Sequence, residues 1–454
     1  MSILNIGKIN NISNYQNKRI SSVKPNDIQQ STVSTPSDFK AYTSSNLKAY
    51  HPSFSAQKVG VPNVQKQLNT VKSKLDRETQ LILNSLEQKG ILSNSDSNDG
   101  STVLDNLYKI ATEPRIRGLN DAQILSEVIK SLDNPHLITQ KFGDIPTNVA
   151  KEISNETNSE FPPQAYNLVS SSCVVASMEF NLASRKPAEF TRFAAGLSGE
   201  TYSVDKKVKM SDFASGTADG LWQLREFNTE NKIANNWEDV TIKIKPDRNA
   251  IVRARVQTSY RDKGERSVTD VLIQSALLNL ASQHTYNALT DERTGKFNAD
   301  NTGLTDMEKT FAEQIVFESQ RIPVTYQIID ENGKLTGYTC EPHEPKNHIL
   351  KSLELGQNVI VGYTHIDENN QVNGGHEITI IGYETDKDGN EIFIINDTDD
   401  EIDAPVAVKV DELLPKIHHA GIPKEALSND DVIIEHWREI LDWFQTSVKE
   451  EDNK

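Results

Sequence analysis

Apolar residues return at helical spacing along the first part of the chain that shows any pattern. They recur every three or four residues from Pro62 until Gly90, and two more such runs cover 103–110 and 125–132. A 3.6-residue period places apolar side chains on one helix face, and Gly90, Pro114 and Pro135 are typical helix ends. The pattern predicts a helical module over 61–140 that packs on the rest of the protein.

The residues before this module show no such period. Residues 1–60 are rich in Ser, Asn, Gln and Thr and have few apolar side chains. Such a segment buries too little apolar surface to offset the entropy of ordering. We expect a disordered leader that serves as a tether or as a targeting signal.

Two further helices are predicted after the module, at 173–182 and 187–195. Residues 203–320 then mix a polar loop, two strand-like runs at 240–244 and 251–256, and a strongly apolar helix at 268–280. Another helical run begins at Asp306. We call residues 203–320 the insertion, because they separate the two regions that carry the candidate chemistry.

From Pro323 the apolar period becomes two, which is typical of strands. Asn332-Gly333 is a strong signal for a tight hairpin turn, and strands are predicted at 359–365, 377–383 and 391–396. Turns separate these three strands, so an antiparallel meander is expected. An amphipathic helix is predicted within 426–454, and the fold class is α+β.

Composition and charge limit the classes of function that we expect for this protein. The 454-residue chain is 36% hydrophobic and 25% charged, with no apolar run near the roughly 20 residues of a membrane span and no cleavable signal sequence at its start. Residues 1–70 carry a net charge of +6 and the remainder −23, which argues against nucleic acid as a main ligand. A cytoplasmic protein, or one exported without a cleaved signal, is expected.

The candidate chemistry begins with Cys173, which follows three serines and opens an apolar helix. A helix N-terminus and a nearby imidazolium both favour the thiolate. His376 opens a strand about two hundred residues later, and Asp397 follows the next strand. His365 and His284 are weaker candidates for the base, because neither has an acid placed as Asp397 is. The second cysteine, Cys340, has no sequence support as a disulfide partner and is expected to be a buried apolar residue.

These motifs resemble papain-like cysteine peptidases, most closely the compact bacterial branch that processes bacteriocin leaders. The shared elements are Gly375-His376, the apolar run 378–381 with Gly382-Tyr383, and Asn396-Asp397. The resemblance covers about 160–202 and 322–405. It implies that Cys173 is the nucleophile and that His376 is the general base and then the acid. It also implies that Asp397 orients the imidazole.

The resemblance leaves two positions open. Asn396 is the alternative third member, because papain itself uses Asn there; strand alternation allows only one of these neighbours to point at the site. The family has Gln six residues before the cysteine as an oxyanion donor, whereas this chain has Asn167 there and Gln164 three residues earlier. Asn167 and Gln164 are the candidate donors.

The resemblance also implies a domain plan. Residues 141–202 would form the half with the nucleophile helix and 321–425 the sheet half, with the active-site cleft between them. We expect one side of the 268–280 helix to pack on the body and the loops at 261–265 and 291–296 to lie near the cleft mouth.

The implied activity is a cysteine hydrolase that cleaves a protein or peptide substrate through a thioester, without cofactor or metal. Acyl transfer to an amine, deamidation of glutamine, and a catalytically silent binding module are the alternatives. No oligomeric state is predicted.

Overall fold

The protein was analysed as a computed structural model that describes residues 62–143, 147–157, 170–214, 218–234, 236–260, 264–282, 286–293, 303–330, 332–400 and 402–427. The predicted leader at 1–60 lies outside these residues, and so does the predicted C-terminal helix beyond residue 427.

The α-helices longer than one turn are α1 (Pro62–Lys72), α2 (Arg77–Gln88), α3 (Val103–Thr112), α4 (Asp121–Asp133), α5 (Thr147–Thr157), α6 (Cys173–Arg185), α7 (Pro187–Ser198), α8 (Ala218–Asn231), α9 (Asn249–Tyr260), α10 (Val268–Ala281), α11 (Asp306–Phe317) and α12 (Glu344–Glu354). The strands are β1 (Val204–Lys209), β2 (Asp239–Ile244), β3 (Tyr286–Asn287), β4 (Glu292–Arg293), β5 (Arg321–Thr325), β6 (Gln327–Ile329), β7 (Leu335–Tyr338), β8 (Val359–Ile366), β9 (Val372–Thr385), β10 (Glu391–Asn396), β11 (Val406–Lys409) and β12 (Ile417–Pro423). The fold is therefore mixed α+β, as predicted.

The N-terminal helices form where the apolar period predicts them. Asp76, Thr102 and Asn120 cap α2, α3 and α4 by accepting hydrogen bonds from backbone N–H groups of the first helical turn. Such caps satisfy donors that the helix itself leaves unpaired. The buried side chains of α1 to α4 belong to the same apolar core as α6, α7 and α10. The helical module thus packs on the body, as expected.

The apolar helix α10 lies at the centre of this core. It begins at a capping box formed by Ser267 and Asp270, and every residue except Leu280 is buried. It contacts α4, α6, α7, α9 and α11. The sequence led us to expect one side of this helix to pack on the body; the helix is surrounded instead, so part of the insertion builds the core.

One local prediction in the insertion is also wrong. The strand-like run 251–256 is helical and lies in α9, where Ala250, Val252, Ala254 and Val256 are buried. Val252 and Val256 stand one helical turn apart, so helix packing overrides the β preference of these residues. The strand-like run 240–244 lies in β2, as predicted, and β2 pairs with β1, which alternates buried and exposed residues.

Six strands form one antiparallel sheet in the order β11-β10-β9-β8-β12-β5. Strands β8 to β11 are the predicted meander extended by one strand. Strand β12, which the sequence pattern does not predict, inserts between β8 and β5. The strand-like segment that begins at Pro323 breaks at Tyr326: β5 joins this sheet, while β6 pairs with β7 across the expected hairpin turn.

Helices cover both faces of this sheet. Ile360 belongs to the core formed by the helices, and α6 and α11 pack on that face. Its neighbours Val359 and Val361 belong instead to a second core that includes Ile349 of α12. This alternation is the one a strand imposes on successive side chains. Among the residues that the structure describes, no helix has the length and apolarity to span a membrane.

Candidate active site

The nucleophile candidate is the first residue of α6. Ser172 precedes the helix as its N-cap residue, and the Cys173 side chain is partly buried against the core. The backbone N–H groups of the first helical turn have no partner within the helix, and the helix dipole places partial positive charge there. A thiolate or a developing oxyanion at this position would be stabilised by both.

His376 lies in the first half of β9, opposite Tyr363 of β8. Its Nε2 atom is 2.7 Å from Oδ1 of Asp397, and the side chain is 12% exposed. Burial works against a charged ring, but the negative charge of Asp397 and its hydrogen bond, with a further hydrogen bond to Cys173, raise the pKa of His376 well above its usual 6.5. The imidazole therefore stands between the thiol and the carboxylate.

Asp397 comes directly after β10. Its burial favours the neutral acid, yet the charge of His376 and the hydrogen bond with it lower the pKa of this carboxyl below its usual 3.8. The backbone N–H of Asp399 also donates to Oδ1 of Asp397, at 2.9 Å. An ionised carboxylate is thus held against the ring, where it can fix the ring orientation and stabilise an imidazolium.

Asn396 points away from this group. Its Oδ1 atom lies 2.6 Å from Nδ1 of His136, and the His136 ring stacks at a tilt against Phe180 of α6. Neighbouring residues on a strand project to opposite faces, so one of the pair reaches His376 and the other reaches the helical layer. Of the two open candidates for the third member, only Asp397 contacts the imidazole.

Three of the residues considered from the sequence lie outside the described part of the chain: Asn167, Gln164 and His284. His365 lies close to the group, since its ring is edge-on to Tyr363 with centroids 5.2 Å apart. Burial and the charge of His376 lower the pKa of His365. The lowered pKa favours a neutral His365 ring, which is a polar neighbour of the His376–Asp397 pair.

A buried ion pair that the sequence pattern does not predict lies behind the serines that precede Cys173. Arg266, 1% exposed, donates from Nη1 and Nη2 to the two carboxylate oxygens of Asp291 at 2.9 and 3.0 Å. Both members of the pair also contact the serines. The Ser171 N–H donates to Asp291 Oδ2 at 3.0 Å. Arg266 Nη2 donates to Ser170 Oγ at 2.5 Å and to Ser172 Oγ. This pair therefore fixes the loop that ends at the nucleophile.

The same arginine connects to the loop that carries the acid. Arg266 Nε donates to the Gln140 carbonyl at 3.0 Å, and the Gln140 N–H donates to the Thr398 carbonyl at 2.9 Å. Thr398 follows Asp397 directly. One series of hydrogen bonds, through Arg266 and Gln140, thus connects the loop before Cys173 with the loop after Asp397. Neither spacing nor periodicity marked Arg266; the capping box at Ser267, directly after it, was the one available signal.

This pair also corrects the expectation for the loop at 291–296. Asp291 is fully buried and lies behind the nucleophile loop, not at a cleft mouth. Residues 261–263 and 294–296 are outside the described residues, so the placement of those loop tips stays a prediction. The other cysteine, Cys340, was expected to be buried but is only partly buried beside the second core, and it forms no disulfide among the described residues.

Comparisons with family models, with curated proteins and with solved structures find no match for this chain. The assignment of a function therefore depends on the geometry of these residues.

Proposed function

We propose that this protein is a cysteine hydrolase of papain-like type that cleaves amide bonds in a protein or peptide substrate. The observation that carries the proposal is the position of His376, which contacts Cys173 on one side and Asp397 on the other. A nucleophile, a base and an orienting acid in this order are the arrangement that acyl transfer needs.

The reaction would proceed in two steps. Proton transfer from Cys173 to His376 gives a thiolate, which attacks the carbonyl carbon and forms a C–S bond. The C–N bond then breaks, and the amine leaves with the proton from His376. Water next attacks the thioester with His376 as base, which releases the carboxylic acid and restores the thiol. Asp397 keeps its negative charge throughout and stabilises the imidazolium.

The N–H groups at the start of α6 are the described donors placed for the oxyanion. We propose Asn167 or Gln164 as a second donor to the oxyanion, as the resemblance to papain-like peptidases implies. Removing one such donor costs about 10²–10³ in rate in hydrolases of this kind. Substitution of Asn167 and Gln164 one at a time by Ala would identify which of the two contributes.

Alkylation of the two cysteines tests the proposal. Iodoacetamide at pH 6 should label Cys173 faster than Cys340 in the full chain, and His376→Ala should abolish that difference, because the thiolate is the reacting form. Peptide mapping by mass spectrometry reads both sites in one sample, so Cys340 is the internal control. Equal rates at the two cysteines in the wild type would identify a silent module and refute the hydrolase.

The type of acyl transfer needs a second measurement. The wild type and Cys173→Ala are each incubated with two reagents. One is a proteome-derived library of peptides that contain glutamine, and the other is a biotin-labelled amine. New peptide termini that appear only with the wild type would support hydrolysis. A mass gain of about 1 Da at glutamine would instead indicate deamidation, and biotin incorporation would indicate transamidation.

A further inference from the structure

Three side chains of types that bind metal ions converge outside the Cys173–His376–Asp397 group. They are Asp306, the first residue of α11, and His418 and His419 on β12. Nδ1 of His419 lies 2.8 Å from Nδ1 of His418 and 3.2 Å from Oδ1 of Asp306. One ligand atom from each residue lies within 4.8 Å of the others. These distances suit a shared ion.

Consecutive residues on a regular strand point to opposite faces, so two adjacent histidines do not normally meet. Here the pairing of β12 with β8 shifts register between Ile417 and His419. A bulge of this kind inserts a residue and redirects side chains. Both rings are buried, at 1% and 6% exposure, and turn their Nδ1 atoms toward each other. The irregular strand thus creates a paired-imidazole arrangement.

The distal nitrogen of His419 has its own partner. Nε2 of His419 lies 2.6 Å from Oε1 of Glu377, and Lys309 Nζ lies 2.7 Å from the other oxygen of the same carboxylate. A Cβ atom on Gly362 would come within 2.2 Å of the His419 ring, so the absence of a side chain there makes room for it. A carboxylate behind a metal-bound imidazole fixes the ring tautomer and strengthens the ligand.

We propose that Asp306, His418 and His419 bind one divalent first-row transition-metal ion, with zinc as the member that fits best. Two imidazole nitrogens disfavour calcium and magnesium, which prefer oxygen ligands. Tetrahedral zinc with bonds of about 2.0–2.1 Å places two nitrogen ligands about 3.3 Å apart, so the two rings need to separate by about half an ångström. Asp306 is 22% exposed and gives the ion a path to solvent and to a fourth ligand.

The test uses the full chain with the background substitution Cys173→Ala, which removes the thiol as a competing zinc ligand and makes the result independent of any hydrolase activity. The protein is dialysed against a chelator, and zinc uptake is measured by isothermal titration and by metal analysis after equilibrium dialysis. We expect one equivalent of zinc and a higher melting temperature. Cobalt added in place of zinc should give the visible absorption bands of a tetrahedral site.

Substitution of a group that lies behind a metal ligand weakens metal binding by about 10–100-fold. Asp306→Asn should weaken zinc binding by more than that, because it changes a ligand itself. His418→Gln should do the same. The matched controls are Asp239→Asn, an exposed carboxylate on β2, and His343→Gln, an exposed histidine before α12; both should bind zinc as the background does. If His418→Gln does not fold, Asp306→Asn decides alone, because its side chain is partly exposed. No zinc uptake by the background protein, or unchanged affinity in Asp306→Asn, would overturn the proposal.

Discussion

Arg266 and Asp291 form a two-point ion pair behind the loop that positions Cys173. Both side chains are buried, and between them they contact Ser170, Ser171 and Ser172. Tyr286 donates a further hydrogen bond to Asp291 at 2.5 Å. Arg266 and Asp291 both belong to the insertion, so this segment supports the loop of the residue proposed as the nucleophile.

Breaking this pair should destabilise the protein and loosen the nucleophile loop. Arg266→Met leaves Asp291 as a buried charge without its partner, which costs about 3–5 kcal/mol. We expect a lower urea midpoint and loss of the faster alkylation of Cys173. Arg117→Met, at an exposed arginine, should change neither. If Arg266→Met melts as the wild type does, the ion pair does not hold the loop.

Asp397 and its neighbour Asn396 should differ sharply in their effect on Cys173. Asp397→Asn removes the charge beside His376 and should slow alkylation of Cys173 at pH 6 by about tenfold, the effect of one pKa unit. Asn396→Ala removes the contact with His136 and should cost about 1 kcal/mol of stability without changing the alkylation rate. Iodoacetamide kinetics read by peptide mapping, with urea denaturation in parallel, separate the two. The reverse ranking would make Asn396 the third member.

The raised pKa of His376 should make the free energy of unfolding depend on pH. Its folded pKa is raised above the unfolded value of 6.5, by Asp397 and Cys173 against burial. The stabilisation is complete below pH 6.5, where both states are protonated, and is lost as pH rises through the folded pKa. The difference in unfolding free energy between the wild type and His376→Gln should therefore be largest near pH 6 and decline toward pH 10. Urea denaturation at one-unit intervals measures it; a constant difference would contradict the charged pairing.

Asp247 gives a second pH dependence of stability, which has the same sign but lies at lower pH. Burial raises the pKa of this carboxyl from 3.8 to about 7, although backbone N–H donors from Ala288 and Asn249 act against that rise. The folded state therefore retains a proton that the unfolded state releases, and stability falls as pH rises from 3.8 to about 7.

Asp247→Asn removes this titration, so its stability relative to the wild type should increase between pH 4 and pH 7 and then stay level. Asp239→Asn, at an exposed carboxylate paired with Lys207, is the control and should show no such change. Thermal melts across this range measure the effect, and parallel curves for wild type and Asp247→Asn would show that Asp247 does not titrate there.

The sequence alone determined the elements that rest on local physics. Helix ends at α2, α3 and α4 follow from capping side chains and a 3.6-residue apolar period, and the hairpin at Asn332-Gly333 follows from turn chemistry. Cys173 at a helix start and Asp397 after a strand were also readable, because each stands at the end of such an element, whereas His376 was expected to open its strand and lies inside β9 instead. Their mutual contact was an expectation that needed the fold.

Only the tertiary structure decided the rest. Residues 251–256 suit a strand or a helix locally, and burial between α5 and α10 made them helical. Strand β12 pairs with segments far away in the chain, so nothing near it signals its place between β8 and β5. Arg266 with Asp291, and Asp306 with the paired histidines, meet because separate elements pack together. Buried polar groups need partners, but the sequence does not say which distant residue will supply them.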